Sequence, residues 1–180
     1  MSRIGKKPIA IPKDVSVSLE GRTIKVKGPK GELSWEYSDK MNVSVDGGTI
    51  VVEKTSDSKV EKALHGLTRS IIFNMITGVS QGYQKVLEIV GVGYKAQVTG
   101  NKLLFTLGYS HPIEVQLPDT MKASVDAKQT QITLTGIDKH QLGQLAANLK
   151  ALRPPDAYKG KGVRYSGERL KLKVGKAGKK

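Results

Sequence analysis

The chain contains no cysteine. Disulfides, zinc–thiolate centres and thiol catalysis are excluded together, and the lack fits a reducing compartment. Aromatic residues are scarce, at 5% with two Phe and one Trp. No pattern sets aromatics on neighbouring strands, so base stacking on a sheet is not the expected mode of any nucleic-acid contact. Long apolar runs are missing too. Ile50-Val51-Val52 and Ile71-Ile72-Phe73 fall far short of the ~20 residues a membrane helix needs. The N-terminal MSRIGKKPIAIPKDV is basic, but Pro8 and Pro12 interrupt it and no long apolar run follows, so it does not read as a signal peptide. A soluble, cytoplasmic protein is expected, with no membrane partner.

Catalytic signatures are equally thin. His65, His111 and His140 stand in different elements without ligand spacing, so each reads as a surface or structural histidine rather than a metal ligand. There is no Gly-x-Ser-x-Gly nucleophile turn and no Walker-type loop. Gly91-Val92-Gly93 is a lone G-x-G between strand-like residues, which suits a bulge or a close backbone approach better than a nucleotide. No enzyme, metal, cofactor or small-molecule substrate is expected.

What is present is a core and an uneven charge. The chain has 180 residues, 38% hydrophobic and 26% charged, enough for one domain or two small ones. Lys+Arg number 30 against 16 Asp+Glu, a net charge of +14. The stretch 31–152 carries as many acids as bases. The excess therefore sits at the ends. Arg3, Lys6, Lys7, Lys13, Arg22, Lys25, Lys27 and Lys30 face only Asp14 and Glu20 at the start. Arg153, Lys159, Lys161, Arg164, Arg169, Lys171, Lys173, Lys176, Lys179 and Lys180 face only Asp156 and Glu168 at the finish. Blocks of like charge are often plain solvated tails. Here cations alternate with apolar residues and are punctuated by Gly and Pro, which favours shaped surfaces that grip closely spaced phosphates. For the N-terminal block, with Pro8 and Pro12, an extended binding arm and a solvated tail are equally good readings.

The chain states one pattern twice. Val15, Val17 and Leu19 alternate up to a turn, followed by Ile24 and Val26, then Leu33, Trp35 and Tyr37, then Val43 and Val45, then Ile50 and Val52. That is period two, a run of antiparallel strands. From about Asp57 the period changes, with Val60, Leu64, Leu67, Ile71 and Met75 forming a helical stripe that Ser56 or Asp57 would cap. The second half repeats the order: Tyr94, Ala96 and Val98, then Leu103, Phe105 and Leu107, Ile113, Val115 and Leu117, Val125, Ile132 and Leu134. A helix opening at Asp138 then shows Leu142, Leu145, Ala146, Leu149 and Leu152 on one face. Gly28 and Gly108 lie 80 residues apart, as do Ser44-Val45-Asp46 and Ser124-Val125-Asp126. The reading is an α+β chain of two tandem similar domains, each an antiparallel β-sheet with one packed α-helix, plus a basic C-terminal extension. Thr77–Gly82 is the expected link, so the domains are 1–82 and 83–180.

The C-terminal stretch RPPDAYKGKGVRY (153–165) concentrates the chemistry. Pro154-Pro155 must end the helix, and Asp156 can organise a turn. Tyr158 is an anchor, packed on the domain or stacked on a base. Gly160 and Gly162 are expected to let the backbone approach a partner, so that amides, Lys159 and Lys161 converge on phosphates. Arg164 adds a planar fork suited to phosphate. Beyond it, Arg169-Leu170-Lys171-Leu172-Lys173-Val174 alternates. As a strand it would bury Leu170, Leu172 and Val174 and show a basic row at about 6.6–7 Å spacing. Lys176, Lys179 and Lys180 form a terminal arm ordered on binding.

At these residues the chain resembles the bacterial large-subunit ribosomal protein six family. The match lies in Pro155–Val163 (PDAYKGKGV), in Gly91–Ala96 (GVGYKA), in Leu107–Pro112 (LGYSHP) and in the N-terminal SRIGKKPI, and it covers essentially the full length. The resemblance implies two duplicated α+β domains and a structural, non-enzymatic role. It also implies binding to large-subunit (23S) rRNA through the C-terminal domain, near the sarcin-ricin loop and the base of the factor-binding stalk. Neighbouring large-subunit proteins and translation factors docking nearby would be the protein partners. The RNA-contact role carries to Lys159, Gly160, Lys161, Gly162 and Arg164. Arg153, Tyr158, Arg169, Lys171, Lys173, Lys176, Lys179 and Lys180 rest on their place in the basic stretch alone. A free basic DNA- or RNA-binding regulator or chaperone is the alternative.

Overall fold

The computed structural model describes residues 4–175. Arg3, Lys176, Lys179 and Lys180 lie outside the described residues. The chain divides into two compact units. One comprises residues 1–83 with Ile137–Lys139, and the other comprises 84–136 with 140–180.

In the first unit, the alternating residues become β2 (Ser16–Glu20), β3 (Thr23–Gly28) and β4 (Gly31–Glu36), an antiparallel meander in which Val17 pairs with Val26 and Ile24 with Trp35. A second sheet holds β5 (Met41–Asp46) and β6 (Thr49–Lys54), with the two-residue β1 (Ile9–Ala10) on the outer edge of β6. Helix α1 (Lys59–Ser80) packs on β3 and β6 and closes a core around Ile24, Val26, Ile50, Ile72 and Val79.

Three details of this unit differ from the sequence expectation. Helix α1 buries Glu61, His65, Thr68, Ile72, Met75, Ile76 and Val79, while Val60 is 58% and Leu67 52% exposed. The buried face carries polar residues that hydrophobic counting passes over. Two of them are hydrogen-bonded there: the Glu61 carboxylate to Ser56, and the His65 ring, which donates from Nε2 to the Val52 carbonyl at 2.8 Å. The cap is Ser58, neither Ser56 nor Asp57. Its side chain accepts from the Glu61 amide at 3.2 Å, and the Glu61 carboxylate reaches back to the Ser56 amide and, at 2.7 Å, its hydroxyl. Ser58→Ala should therefore lower the stability of the first unit by about 1 kcal/mol in urea unfolding. Finally, Thr77–Ser80 is not a link but the last turn of α1. Gly78 is buried there, with a backbone carbonyl, that of Ile137, pressed where a Cβ would stand.

The described part of the N-terminal block is docked rather than arm-like. Residues 4–7 form a turn closed by the Lys7 amide on the Ile4 carbonyl (3.2 Å). Arg69 Nε donates to the Lys7 carbonyl at 3.3 Å, and Ile9 pairs with Ile50.

The second unit also holds two sheets. One is β8 (Lys95–Thr99), β9 (Lys102–Thr106) and β10 (Ile113–Gln116), with β9 central. The other runs in the order β11 (Met121–Val125), β12 (Gln131–Gly136), β7 (Tyr83–Val90), β13 (Gly162–Tyr165). Helix α2 (Lys139–Leu152) buries Leu142, Leu145, Ala146 and Leu149, the face its spacing predicts. Phe105, Leu103, Ile132, Leu134 and Leu87 are fully buried in this unit. The fold is α+β.

Candidate nucleic-acid interface

Strand β13 fixes the basic stretch. It pairs antiparallel with β7, Gly162 opposite Val90 and Tyr165 opposite Leu87, at the outer edge of its sheet. Val163 is fully buried, and its amide donates to the Arg153 carbonyl at 2.8 Å. The chain thus leaves α2 at Leu152, turns through Pro154-Pro155, and is stitched back onto its own exit.

Between these points lies a closed loop. The Asp156 amide donates to the Lys161 carbonyl at 2.8 Å, and the Gly160 amide to the Asp156 carbonyl at 3.0 Å. The Asp156 carboxylate accepts from the Lys159 amide at 2.9 Å and from the Tyr158 amide at 3.2 Å. Those backbone bonds, the Lys159 amide first, hold the Asp156 carboxyl below its ordinary range. A depressed carboxyl contributes order above its ordinary pKa and loses it as pH falls, so acid should loosen this loop.

The bonding corrects the expected roles of the loop's backbone. The amides of Tyr158, Lys159 and Gly160 are already used by Asp156, so they are not open to phosphate. Gly160 and Gly162 are buried. Leu170 and Leu172 lie over Gly160, and a Cβ on Gly162 would meet the carbonyl oxygens of Arg153 and Pro154, each at 2.6 Å. Both glycines serve close packing of the chain on itself.

Arg164 is paired within the fold. Its Nε and one terminal nitrogen contact the same Glu88 carboxylate oxygen at 3.0 and 2.9 Å, while the other oxygen accepts from Ser166 Oγ at 2.8 Å. One edge of the fork is engaged inside the fold, while 34% of the side chain stays exposed. Arg153 stacks over the Tyr109 ring at 5.0 Å, and Tyr109 donates its hydroxyl to the Leu152 carbonyl at 2.9 Å. Hydrogen bonding to Tyr109, then the charge interaction with Tyr94, raises the Arg153 pKa above the ordinary arginine value. Tyr158 is the opposite case, an exposed ring.

Beyond β13 the expected basic strand is not formed. Residues 168–175 have no regular secondary structure. A strand needs a bonded neighbour, and after the Ser166-Gly167 turn the chain crosses back over the loop instead of continuing along β7. The Lys173 amide donates to the Ala157 carbonyl at 2.7 Å. Leu170 is half-buried, whereas Leu172 is 54% and Val174 77% exposed. Glu168 anchors the return, paired with Lys150 at 2.6 Å and accepting from the Tyr165 amide at 3.1 Å.

In the described part of this stretch, Lys159, Lys161, Arg169, Lys171 and Lys173 are exposed and carry neither a salt bridge nor a ring contact. They stand on a backbone fixed by the bonds above. Such a surface attracts a polyanion by charge and holds its cations in one arrangement while doing so. Sequence reasoning missed the residues that build it, Glu88, Tyr94, Tyr109, Lys150 and Ser166. Each acts through a partner distant in the chain.

Comparison with known proteins adds the family. The family model described as "Ribosomal protein L6" matches residues 11–82 and again 90–166. Proteins called "Large ribosomal subunit protein uL6" are similar along the whole chain: 59% identical in Thermodesulfovibrio yellowstonii and 53% in a Picosynechococcus species, each with both chains fully covered. The Staphylococcus saprophyticus protein of that name is 52% identical over 99% of this chain and 100% of its own.

Proposed function

The chain belongs to the ribosomal protein L6 family, and from that membership we propose that it is a structural constituent of the large ribosomal subunit whose C-terminal surface docks on the 23S rRNA. Its domains are 1–82 and 83–180, and it works in the cytoplasm. The contact lies near the sarcin-ricin loop and the factor-binding stalk base, beside other large-subunit proteins and docking translation factors. The role is architectural, not catalytic.

The observation that supports this most is the set of five exposed, unpaired cations on a closed backbone. Lys159 and Lys161 sit on the loop, and Arg169, Lys171 and Lys173 on the segment strapped across it. They contact phosphates as charges, without reading bases. Tyr158 extends the same surface, and Lys176, Lys179 and Lys180 extend the charge beyond the described residues. Arg153, Gly160, Gly162 and Arg164 support the surface from within.

The test is the salt dependence of binding. Each phosphate neutralised adds about 0.7–0.9 to the slope of log affinity against log salt. Lys159→Ala with Lys161→Ala should flatten that slope on a large-subunit rRNA transcript by about one to two and leave thermal unfolding unchanged. An unchanged slope in a folded variant rejects the reading. Co-sedimentation separates the alternative: a subunit component stays with the large subunit through a moderate salt wash, and a free regulator does not.

A further inference from the structure

Val92 is 92% exposed, more than any other large apolar side chain among the described residues. The chain holds it there by construction. Gly91 (φ 155°) and Gly93 (φ 77°) flank it in conformations that residues with a Cβ rarely adopt. The Tyr94 ring lies so close under Gly91 that a Cβ there would meet it at 2.6 Å, and the same ring abuts Gly108. Arg153 interacts with Tyr94 and stacks on Tyr109. The tip is therefore braced by the same residues that hold the exit of α2.

Its position follows from register. Val90 is the last residue of β7 and pairs with Gly162, the first of β13. The turn 91–93 thus leaves the sheet at the end where Lys161 enters it. An apolar side chain and the cationic loop stand side by side at one corner of the second unit.

We propose that Val92 is the apolar contact of this RNA-binding surface, resting on riboses in the minor groove of an A-form helix while Lys159 and Lys161 hold the adjoining phosphates. That groove is wide and shallow and displays sugar surface, so a short projecting side chain reaches it, and the contact is read by shape. Charge complementarity favours RNA over an apolar partner at this corner, because the tip follows Val90 and Lys161 precedes Gly162 at the same end of the paired strands. The inference rests on the reading under Proposed function and adds a non-ionic component to it.

The experiment is filter binding of the full chain to a large-subunit rRNA transcript across a salt series. Val92→Ala, and the isosteric Val92→Thr, should weaken binding by about three- to tenfold at every salt concentration and leave the slope unaltered. Val60→Ala, an exposed valine on α1 outside this surface, should change nothing. Should both Val92 variants bind as the parent does while the Lys159/Lys161 variant flattens the slope, the inference is overturned and the docking surface stands. A Val92 variant that shifts the slope instead of the affinity also overturns it. If neither the lysine nor the valine variants alter binding, the functional reading itself fails.

Discussion

Gly162→Ala should destabilise the second unit by about 3 kcal/mol or more and abolish rRNA binding with it. The residue sits at φ 142°, where a side chain is strained. Its Cβ would also press on the Arg153 and Pro154 carbonyl oxygens, each at 2.6 Å, and the Pro154 carbonyl carbon at 2.8 Å. Backbone strain of this kind costs about 1–3 kcal/mol, and overpacking adds a similar amount. The obstructing atoms are main chain between a helix end and a strand, so they cannot rotate aside. To make room, β13 must separate from α2, breaking the Val163–Arg153 bond and uncovering Val163. The check is urea unfolding alongside the salt series. A variant that folds like the parent but binds less tightly would instead restore the expected role, in which this glycine makes space for a phosphate.

The strands and helices were legible because their signals are local. Period two marked Ile24, Val26, Ile50, Val52, Leu103 and Phe105, and all six are buried. Charge at the C-terminal end and turn residues at 153–162 likewise mark the basic loop in the sequence. What the sequence concealed is pairing across distance. Arg164 reads as a phosphate fork until Glu88, 76 residues earlier, is placed against it. The alternation from Arg169 to Val174 reads as a strand until no neighbour is available to pair with it. Strand β7 is absent from the sequence reading although Leu87 and Ile89 alternate, because its start, Tyr83-Gln84-Lys85, is polar. The buried face of α1 escaped for a related reason: Glu61, His65 and Thr68 are polar in the sequence yet buried in the fold.

The Arg164–Glu88 pair separates the two possible uses of a cation in this stretch. Arg164→Ala should cost about 1–2 kcal/mol of stability, the low end of charged hydrogen bonds because roughly a third of each side chain is exposed. It should leave the salt slope of rRNA binding unchanged, in contrast to Lys159 and Lys161. The pH dependence carries the same signature. The Ser166 hydroxyl first, and Arg164 second, hold the Glu88 carboxyl below its ordinary range. A depressed carboxyl contributes stability that is complete above its unfolded pKa and disappears as pH falls through the folded value. Glu88→Gln should therefore be less stable than the parent near neutrality, and the gap should close below about pH 4, the ordinary carboxylate range. Measuring urea midpoints of the parent, each single variant and the double variant from neutral pH into acid completes a cycle. A coupling energy that vanishes in acid identifies the pair as the clasp of β13 on β7. If Arg164→Ala left stability untouched and lowered the salt slope, the guanidinium would be a phosphate ligand after all.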